Sequence, residues 1–423
     1  MTLEEAPGLE VDPLLADPAT RIIVCCGAGG VGKTTTAAAL GVRAAERGRK
    51  VVVLTIDPAR RLAQSMGIDQ LDNVPRRVDG IKGGGELHAM MLDMKRTFDE
   101  IVEGHAEPAR AAAILGNPFY QSLSAGFAGT QEYMAMEKLG QLRAREEWDL
   151  IVVDTPPSRS ALDFLDAPKR LGSFLDGKFI RMLMAPAKVG GRAGMKFLNV
   201  GMSMMTGTLG KLLGGQLLRD VQTFVAAMDT MFGGFRTRAD ATYRLLQAPG
   251  TAFLVVAAPE RDALREAAYF VERLAAERMP LAGLVLNRVH SSGAVRLSAE
   301  RALAAAENLE EGRIVDQGAG KTGVRGPEAT SPEPEAPETP AASTDIAAGV
   351  TTATSPAVAE LTAGLLRLHA ERMQVLAREQ RTRDRFTALH PEVAVTEVPA
   401  LPGDVHDLAG LRAIGDLLAE GHR

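Results

Sequence analysis

The 423-residue sequence is poor in cysteine and in large aromatic residues, with two cysteines, one tryptophan and four tyrosines. Because Cys25 and Cys26 are adjacent, one chain can build neither a disulfide framework nor a metal site of several thiolates. The histidines lack the helical spacing that zinc-binding pairs use, so nothing in the sequence supports a zinc site. This cysteine usage is typical of a reducing compartment, and we expect a cytoplasmic location.

The sequence also lacks a strong charge excess and a long apolar run. Its formal net charge of −5 gives no overall reason to expect nucleic acid as a partner. The longest clearly apolar uncharged run, Phe197–Gly210, is shorter than the roughly 20 residues that a membrane-spanning helix needs. The acidic first residues do not have the basic start and apolar stretch of a secretion signal. We therefore expect a protein that is neither exported nor integral to a membrane.

Short β-branched apolar runs alternate with helical patterns along the chain, which is typical of a mostly parallel sheet covered on both faces. The predicted fold is a doubly wound α/β domain of parallel strands flanked by helices. The predicted strands are Arg21–Cys26, Val51–Ile56, Leu87–Leu92, Leu150–Val153, Ala252–Ala257, Gly283–Asn287 and Val393–Val398.

Two segments interrupt this alternation. Residues 166–244 contain no strand pattern and read as a helical insertion among many glycines. Residues 317–356 are rich in Pro, Glu and Ala, bury too little apolar surface to offset the entropy of ordering, and are predicted to be a disordered linker. The predicted organisation is an acidic segment at 1–20, the α/β domain at 21–316, and a C-terminal part at 357–423 that completes the same domain.

The strongest local signal follows the first predicted strand, where the sequence satisfies the pattern GxxxxGK(S/T) and a helix follows. Glycines let main-chain N–H groups turn towards phosphate oxygens, and a helix N-terminus adds partial positive charge. In such a loop Lys33 supplies a cation for the β- and γ-phosphates, and the Thr34 hydroxyl is placed for Mg²⁺. The alternative is an ordinary glycine-rich turn. The predicted nucleotide-binding residues of the loop are Gly27, Ala28, Gly29, Gly30, Val31, Gly32, Lys33, Thr34 and Thr35.

Two aspartates close predicted strands. Asp57 fits either a helix N-cap or a residue that orients the attacking water opposite the γ-phosphate. Asp154 ends an apolar strand at the Walker-B position, where a carboxylate holds Mg²⁺ directly or through water, and the alternative is again a capping residue. Thr155 and the two prolines after it form a stiff loop suited to sensing the γ-phosphate. We predict Asp57 and Lys33 as catalytic residues, and Thr34 and Asp154 as metal ligands.

Four motifs, GAGGVGKTTT, IDPARRL, DTPPS and LVLNRV, occur in the order and approximate spacing of one known family. On these motifs the sequence resembles the ArsA/Get-type anion-transporting ATPases of the deviant-Walker branch of P-loop proteins. The resemblance implies an Mg²⁺-dependent ATP hydrolase that dimerises with its nucleotide at or near the subunit interface. It also implies that Asp57 and Asp154 are the two switch aspartates, that Asn287 reads the adenine, and that Pro399 lies in an adenine-side loop.

The sequence departs from the family pattern at one position of the loop. The family's loop usually reads GKGGVGKT, and its first lysine reaches the phosphates of the partner subunit, whereas Ala28 stands at that position here. By analogy with arginine fingers, such a missing cation costs on the order of 10²-fold or more in rate. Two interpretations stay open: an ATPase dimer, or a catalytically weak scaffold subunit paired with a paralogous ATPase. Arsenite extrusion is rejected, because a site of three thiols cannot form.

The predicted insertion is rich in methionine. Eight of the 17 methionines lie between Met182 and Met231, in a basic region. Methionine surfaces adapt to varied apolar ligands, and in Get-type relatives the corresponding subdomain forms a groove for the hydrophobic tail of a membrane protein. One hypothesis is that the insertion holds a hydrophobic client protein or lies against a membrane surface. The other is that its methionines fill the core of an ordinary helical cap.

Overall fold

The computed structural model describes residues 7–56, 60–68, 71–118, 120–121, 130–156, 237–318 and 356–420. Its strands are β1 Ile22–Cys26, β2 Lys50–Thr55, β3 Arg76–Arg77, β4 Glu86–Met91, β5 Leu150–Asp154, β6 Thr251–Ala257, β7 Leu281–Val289 and β8 Val395–Pro399. They form one eight-stranded sheet in the order β3-β4-β2-β5-β1-β6-β7-β8. Only the β3–β4 pair is antiparallel among these strands. The predicted mostly parallel α/β fold is confirmed.

All the predicted strands are present, with ends that shift by one or two residues. The added strand, β3, is two exposed residues long, too short to show a periodic pattern in the sequence. The helices are α1 Val11–Ala16, α2 Lys33–Glu46, α3 Arg60–Ser65, α4 Met94–His105, α5 Pro108–Leu115, α6 Thr130–Ala144, α7 Arg261–Ala276, α8 Ala299–Gly318, α9 Pro356–Leu389 and α10 Leu408–Glu420. Residues 237–247 are also helical.

Helices cover both faces of the sheet because side chains alternate between the faces along each strand. In β1, Ile22 and Val24 join a core that includes residues of α4, α6 and α7. Ile23 and Cys25 join the opposite core, which α2 and α10 complete. Central strands such as β6 are therefore buried along their whole length, the pattern expected of a parallel sheet.

Residues 7–20, which the sequence sets apart as an acidic segment, pack against this sheet. The Leu9 N–H donates to the Val395 carbonyl at 3.1 Å, and the Val395 N–H donates to the Pro7 carbonyl at 2.8 Å. Val11 and Leu15, one helical turn apart in α1, are buried in the core. The acidic composition of this segment gives no indication of the buried helical spacing of Val11 and Leu15.

The chain divides into two compact units. The first comprises Met1–Val289 and Arg381–Arg423 and contains the sheet. The second, His290–Gln380, contains α8 and most of α9, and its helices bury alanines. Within it, Arg367 pairs with Glu310 at 2.7 Å. None of the described helices combines the length and apolar character needed to cross a membrane.

Most of the predicted insertion and most of the predicted linker lie outside the described residues. Residues 157–236 and 319–355 lie outside the described residues, and with them the methionines from Met182 to Met231. The C-terminal part of the chain does return to the sheet, since β8 pairs in parallel with β7.

Candidate nucleotide-binding site

The loop between β1 and α2 has a backbone that only glycine fits at two positions. Gly27 has φ of 149°, and a Cβ there would lie 2.0 Å from the Val256 carbonyl oxygen of β6. Gly32 has φ of 98°, and a Cβ there would lie 2.2 Å from the side-chain amide nitrogen of Asn287. At Gly27 the obstacle is a backbone atom of a central strand, and at Gly32 the positive φ itself disfavours any other residue, so the backbone requires the glycines of the sequence pattern.

The loop leads directly into the N-terminus of α2. Gly32 occupies the N-cap position, and its carbonyl accepts a hydrogen bond from the Thr36 N–H at 2.9 Å. A glycine cap has no side chain to engage the first N–H groups of the helix, which leaves them suited to a phosphate. Lys33, Thr34 and Thr35 lie in this first turn. The structure therefore places these predicted residues together at one helix N-terminus.

Lys33 closes the loop. Its ammonium group donates to the Ala28 carbonyl at 2.8 Å, and the side chain is 6% exposed. Ala28 and Val31 are buried, whereas Gly29 and Gly30 are exposed. The cation therefore sits inside the loop, where the negative charge of a polyphosphate would be most strongly attracted.

Asp154 ends β5, which lies between β1 and β2 in the sheet. The register pairs Asp154 with Cys25 of β1 on one side and with Thr55 of β2 on the other. Its Oδ2 atom accepts hydrogen bonds from the Thr34 hydroxyl at 2.6 Å and from the Thr55 hydroxyl at 3.0 Å. The two predicted metal ligands, Thr34 and Asp154, are therefore in direct contact. Thr55 was not predicted from the sequence, because only the strand register reveals its partner.

The donor set at this point fits Mg²⁺. It combines a hydroxyl and a carboxylate at the carboxyl end of the central strands, and Mg²⁺ prefers oxygen ligands supplied by one or two side chains together with phosphates and water. Thr34 and Asp154 are the residues that would hold the ion. Asp154 is 1% exposed, so its carboxylate lies in a shielded position.

Asp57, the predicted water-orienting residue, lies outside the described residues. Its described neighbour Ile56 is held by two contacts at the carboxyl end of β2. The Ile56 N–H donates to the Asp154 carbonyl at 3.0 Å, and the Ile56 carbonyl accepts from the Gln131 side chain of α6 at 3.0 Å. Gln131 is a further residue that the sequence pattern did not single out, since nothing local connects it with β2.

Asn287 and Pro399 lie at the carboxyl ends of β7 and β8. The Asn287 side-chain amide donates to the Val31 carbonyl at 2.8 Å and therefore contacts the phosphate loop. A β-bulge follows it, with Arg288 at φ of 61°. Pro399 ends β8, is exposed, and pairs with Val289. The adenine-side roles of Asn287 and Pro399 stay predictions.

The two cysteines are part of the buried β1 strand. Burial raises the pKa of the Cys25 thiol well above its ordinary value, and it raises the pKa of Cys26 to about 12. Both thiols are therefore protonated at neutral pH, which makes them poor nucleophiles and poor metal ligands. Cys25 contributes to the site through its backbone, since its carbonyl accepts from the Thr155 hydroxyl at 2.9 Å.

A glycine loop between a central parallel strand and a helix, with a lysine and a threonine at the helix start, defines a P-loop nucleotide-binding protein. A sequence model of the anion-transporting ATPases matches residues 20–301, which is more than half of the chain. The chain belongs to this anion-transporting ATPase family.

Curated relatives agree with this assignment. Proteins named ATPase GET3 from Podospora anserina and Phaeosphaeria nodorum are each 26% identical to this chain, over 278 and 284 residues. The matches cover 65% and 66% of this chain and 75% and 79% of the relatives. An ATPase GET3 from Malassezia globosa is 29% identical over 170 residues, and the match spans about half of that protein, 49% of its length.

Proposed function

We propose that the protein binds ATP with Mg²⁺ at the loop of residues 27–35 and hydrolyses the β–γ phosphoanhydride bond. The observation that carries the proposal is the loop from Gly27 to Gly32, where a Cβ at Gly27 would overlap with the Val256 carbonyl oxygen of β6. The loop leads into the N-terminus of α2, where the Thr34 hydroxyl donates a hydrogen bond to the buried Asp154 carboxylate at 2.6 Å. This combination is the one that phosphate groups and their cation require.

Each residue has a distinct role in this proposal. Main-chain N–H groups of the loop and the Lys33 ammonium hold the β- and γ-phosphates. Thr34 and Asp154 hold Mg²⁺, which when bound offsets the negative charge of the phosphates. Asp57 orients the attacking water, and Asp154 communicates the loss of the γ-phosphate to the loop that begins at Thr155. Asn287 and Pro399 bind the adenine end.

We further propose that the protein acts in the cytoplasm as a dimer, in which the nucleotide state controls the helical insertion at 166–244. The insertion then takes up a hydrophobic client protein or contacts a membrane surface. The support is the cluster of methionines between Met182 and Met231 and the excess of Lys and Arg over acidic residues in the same part of the sequence, together with the resemblance to Get-type ATPases. Deleting Met182–Met231 should abolish binding to liposomes or to an apolar helical peptide while ATP affinity stays the same; unchanged peptide and liposome binding would overturn this part.

A second candidate function is a nucleotide-binding scaffold subunit that hydrolyses ATP slowly and pairs with a paralogous ATPase. One specific observation favours it, the presence of Ala28 in place of the family's lysine. In that arrangement the paralogue supplies the missing cation to the ATP bound by this chain.

The test compares nucleotide binding and turnover in the full-length chain. Calorimetry with ATP and Mg²⁺ should detect binding, and phosphate release should fall at least 10²-fold in Asp57→Asn, since that change removes the water-orienting carboxylate. The matched control is Asp79→Asn, at an exposed position of the same domain, which should turn over like the wild type.

The outcomes separate the candidates. Turnover that Asp57→Asn removes supports the ATPase. Tight ATP binding without turnover by the chain alone supports the scaffold subunit. A complete lack of adenine nucleotide binding by the wild-type chain contradicts both.

A further inference from the structure

Thr55 ends β2 as a buried polar residue after a run of apolar ones. The strand reads KVVVLT, and Thr55 is fully buried, with 0% exposure. Threonine and valine have the same β-branched shape and similar stiffness in a strand, so the hydroxyl is what threonine adds at this position. A buried hydroxyl costs free energy unless it is hydrogen-bonded. A threonine at this position is therefore explained by the hydrogen bond that its hydroxyl makes.

That contact is the carboxylate predicted to hold the metal. Thr55 and Asp154 are register partners in the β2–β5 pair, and the Thr55 hydroxyl donates to Asp154 Oδ2 at 3.0 Å. The Thr34 hydroxyl donates to the same oxygen at 2.6 Å. One carboxylate oxygen thus receives a hydrogen bond from the helix at the phosphate loop and another from the sheet.

The two hydrogen-bond donors, Thr34 and Thr55, belong to different structural elements. Thr34 belongs to the first turn of α2, where the nucleotide and its cation are proposed to bind. Thr55 belongs to a strand that is fixed on both sides, since its carbonyl accepts from the Leu92 N–H at 2.9 Å and its other neighbour is β5. The Thr55 hydroxyl is therefore anchored by the sheet, independently of the helix turn at which a ligand would bind.

We propose that Thr55 is a positioning residue for the metal site, acting through Asp154 rather than touching the ion. This inference rests on the proposed function, because it assumes that Mg²⁺ binds with ATP at this site. Residues that orient metal ligands by hydrogen bonds typically contribute 10- to 100-fold to metal affinity. Thr55 fits this role because its hydroxyl is buried, anchored and aimed at the ligand.

The test measures how strongly Mg²⁺ tightens ATP binding in the full-length chain. ATP affinity is measured by calorimetry in EDTA and across a Mg²⁺ titration for the wild type and Thr55→Val. We expect the Mg²⁺ concentration for half-maximal tightening to rise about 10-fold or more in Thr55→Val. Affinity in EDTA should stay the same within about twofold, because the loop and Lys33 are intact. Thr55→Ser should restore the wild-type response, since it restores the hydroxyl.

The matched control is another buried strand threonine. Thr396 of β8 is 0% exposed, and its hydroxyl donates to the Leu418 backbone carbonyl at 3.0 Å. Thr396→Val makes the same chemical change away from the carboxylate. It should lower the thermal midpoint of unfolding to an extent similar to Thr55→Val and leave the Mg²⁺ response unchanged.

Three results would overturn the inference. They are an unchanged Mg²⁺ response in Thr55→Val, an equal shift in Thr396→Val, or a failure of Thr55→Ser to restore the response. If Thr55→Val does not fold, Thr55→Ala and Thr55→Ser provide the same contrast between absence and presence of the hydroxyl. An absence of ATP binding in the wild type is a different result, since it contradicts the proposed function itself.

Discussion

The two ends of α2 are built in opposite ways. The N-terminal end meets the glycine loop, and a glycine rather than a side chain occupies its cap. The C-terminal end is held by charged side chains. Arg43 pairs with Asp12 at 2.5 Å and with Asp416 at 2.6 Å, and Arg47 pairs with Asp12 at 2.7 Å. The arginines at the C-terminal end complement the helix dipole, whereas the N-terminal end has no acidic side chain in its first turn and is suited to an anionic ligand.

The difference separates a binding end from an anchoring end. At the anchoring end, Asp12 of α1 and Asp416 of α10 fix the last turn to the surrounding helices. Arg49, just beyond it, donates to the Thr20 and Asp149 carbonyls at 2.6 Å each. A helix fixed at one end can keep its other end in one position while a ligand comes and goes. This comparison gives three further predictions, which differ in the size of the expected effect.

The largest effect is expected at the binding end. In Gly27→Ala the new Cβ overlaps with the Val256 carbonyl, which belongs to a central strand and cannot yield. We expect the free energy of unfolding to fall by about 3 kcal/mol and ATP binding to become undetectable. Chemical denaturation and calorimetry measure the two quantities.

The control is Gly30→Ala in the same loop. Gly30 has φ of 76°, but a Cβ there meets nothing within 4 Å. Only the cost of the left-handed conformation applies, about 1 kcal/mol, so ATP binding should be weakened far less. Equal losses of ATP affinity in Gly27→Ala and Gly30→Ala would show that the overlap with the Val256 carbonyl is not the cause.

The next effect concerns the cation missing from the loop. Ala28→Lys should raise the turnover of the isolated chain by on the order of 10²-fold if two copies of the chain form the catalytic dimer. The control is Ala28→Met, which has a similar length without the charge. Phosphate release measures the effect. Unchanged turnover in Ala28→Lys would contradict a catalytic dimer of identical chains and favour the scaffold subunit.

The smallest effect is expected at the anchoring end. Hydrogen bonds from Arg43, and then the charges of Arg43 and Arg47, lower the pKa of Asp12 from its ordinary value of 3.8. A carboxylate whose pKa is lower in the folded state stabilises the fold above its unfolded pKa, and this contribution is lost as the pH falls through the folded pKa.

In Asp12→Asn the free energy of unfolding should therefore fall by about 1 kcal/mol or less at neutral pH. The difference from the wild type should begin to shrink as the pH falls to about 3.8 and should vanish only below the lower pKa of the folded state. Urea denaturation across this pH range measures the difference. A deficit that is constant down to the lowest pH would show that the contact acts through packing rather than charge. ATP affinity should not change, because the binding end is intact.

The local parts of the site could be read from the sequence. The loop, Lys33 and Thr34 form a contiguous motif whose spacing fixes the backbone, and Asp154 ends an apolar run of recognisable type. Thr55 and Gln131 could not be found this way. Their partners, Asp154 and Ile56, are far away in sequence, and a threonine after valines or a glutamine on a helix carries no local signal.

The sequence alone determined the class of fold and the phosphate loop, because alternating apolar periods and glycine spacing are properties of neighbouring residues. The tertiary structure decided which strands are adjacent. Strand β5 lies between β1 and β2 although it follows both in the chain, and this places Asp154 between Cys25 and Thr55. Such pairing depends on contacts between distant segments, for which local periodicity contains no information.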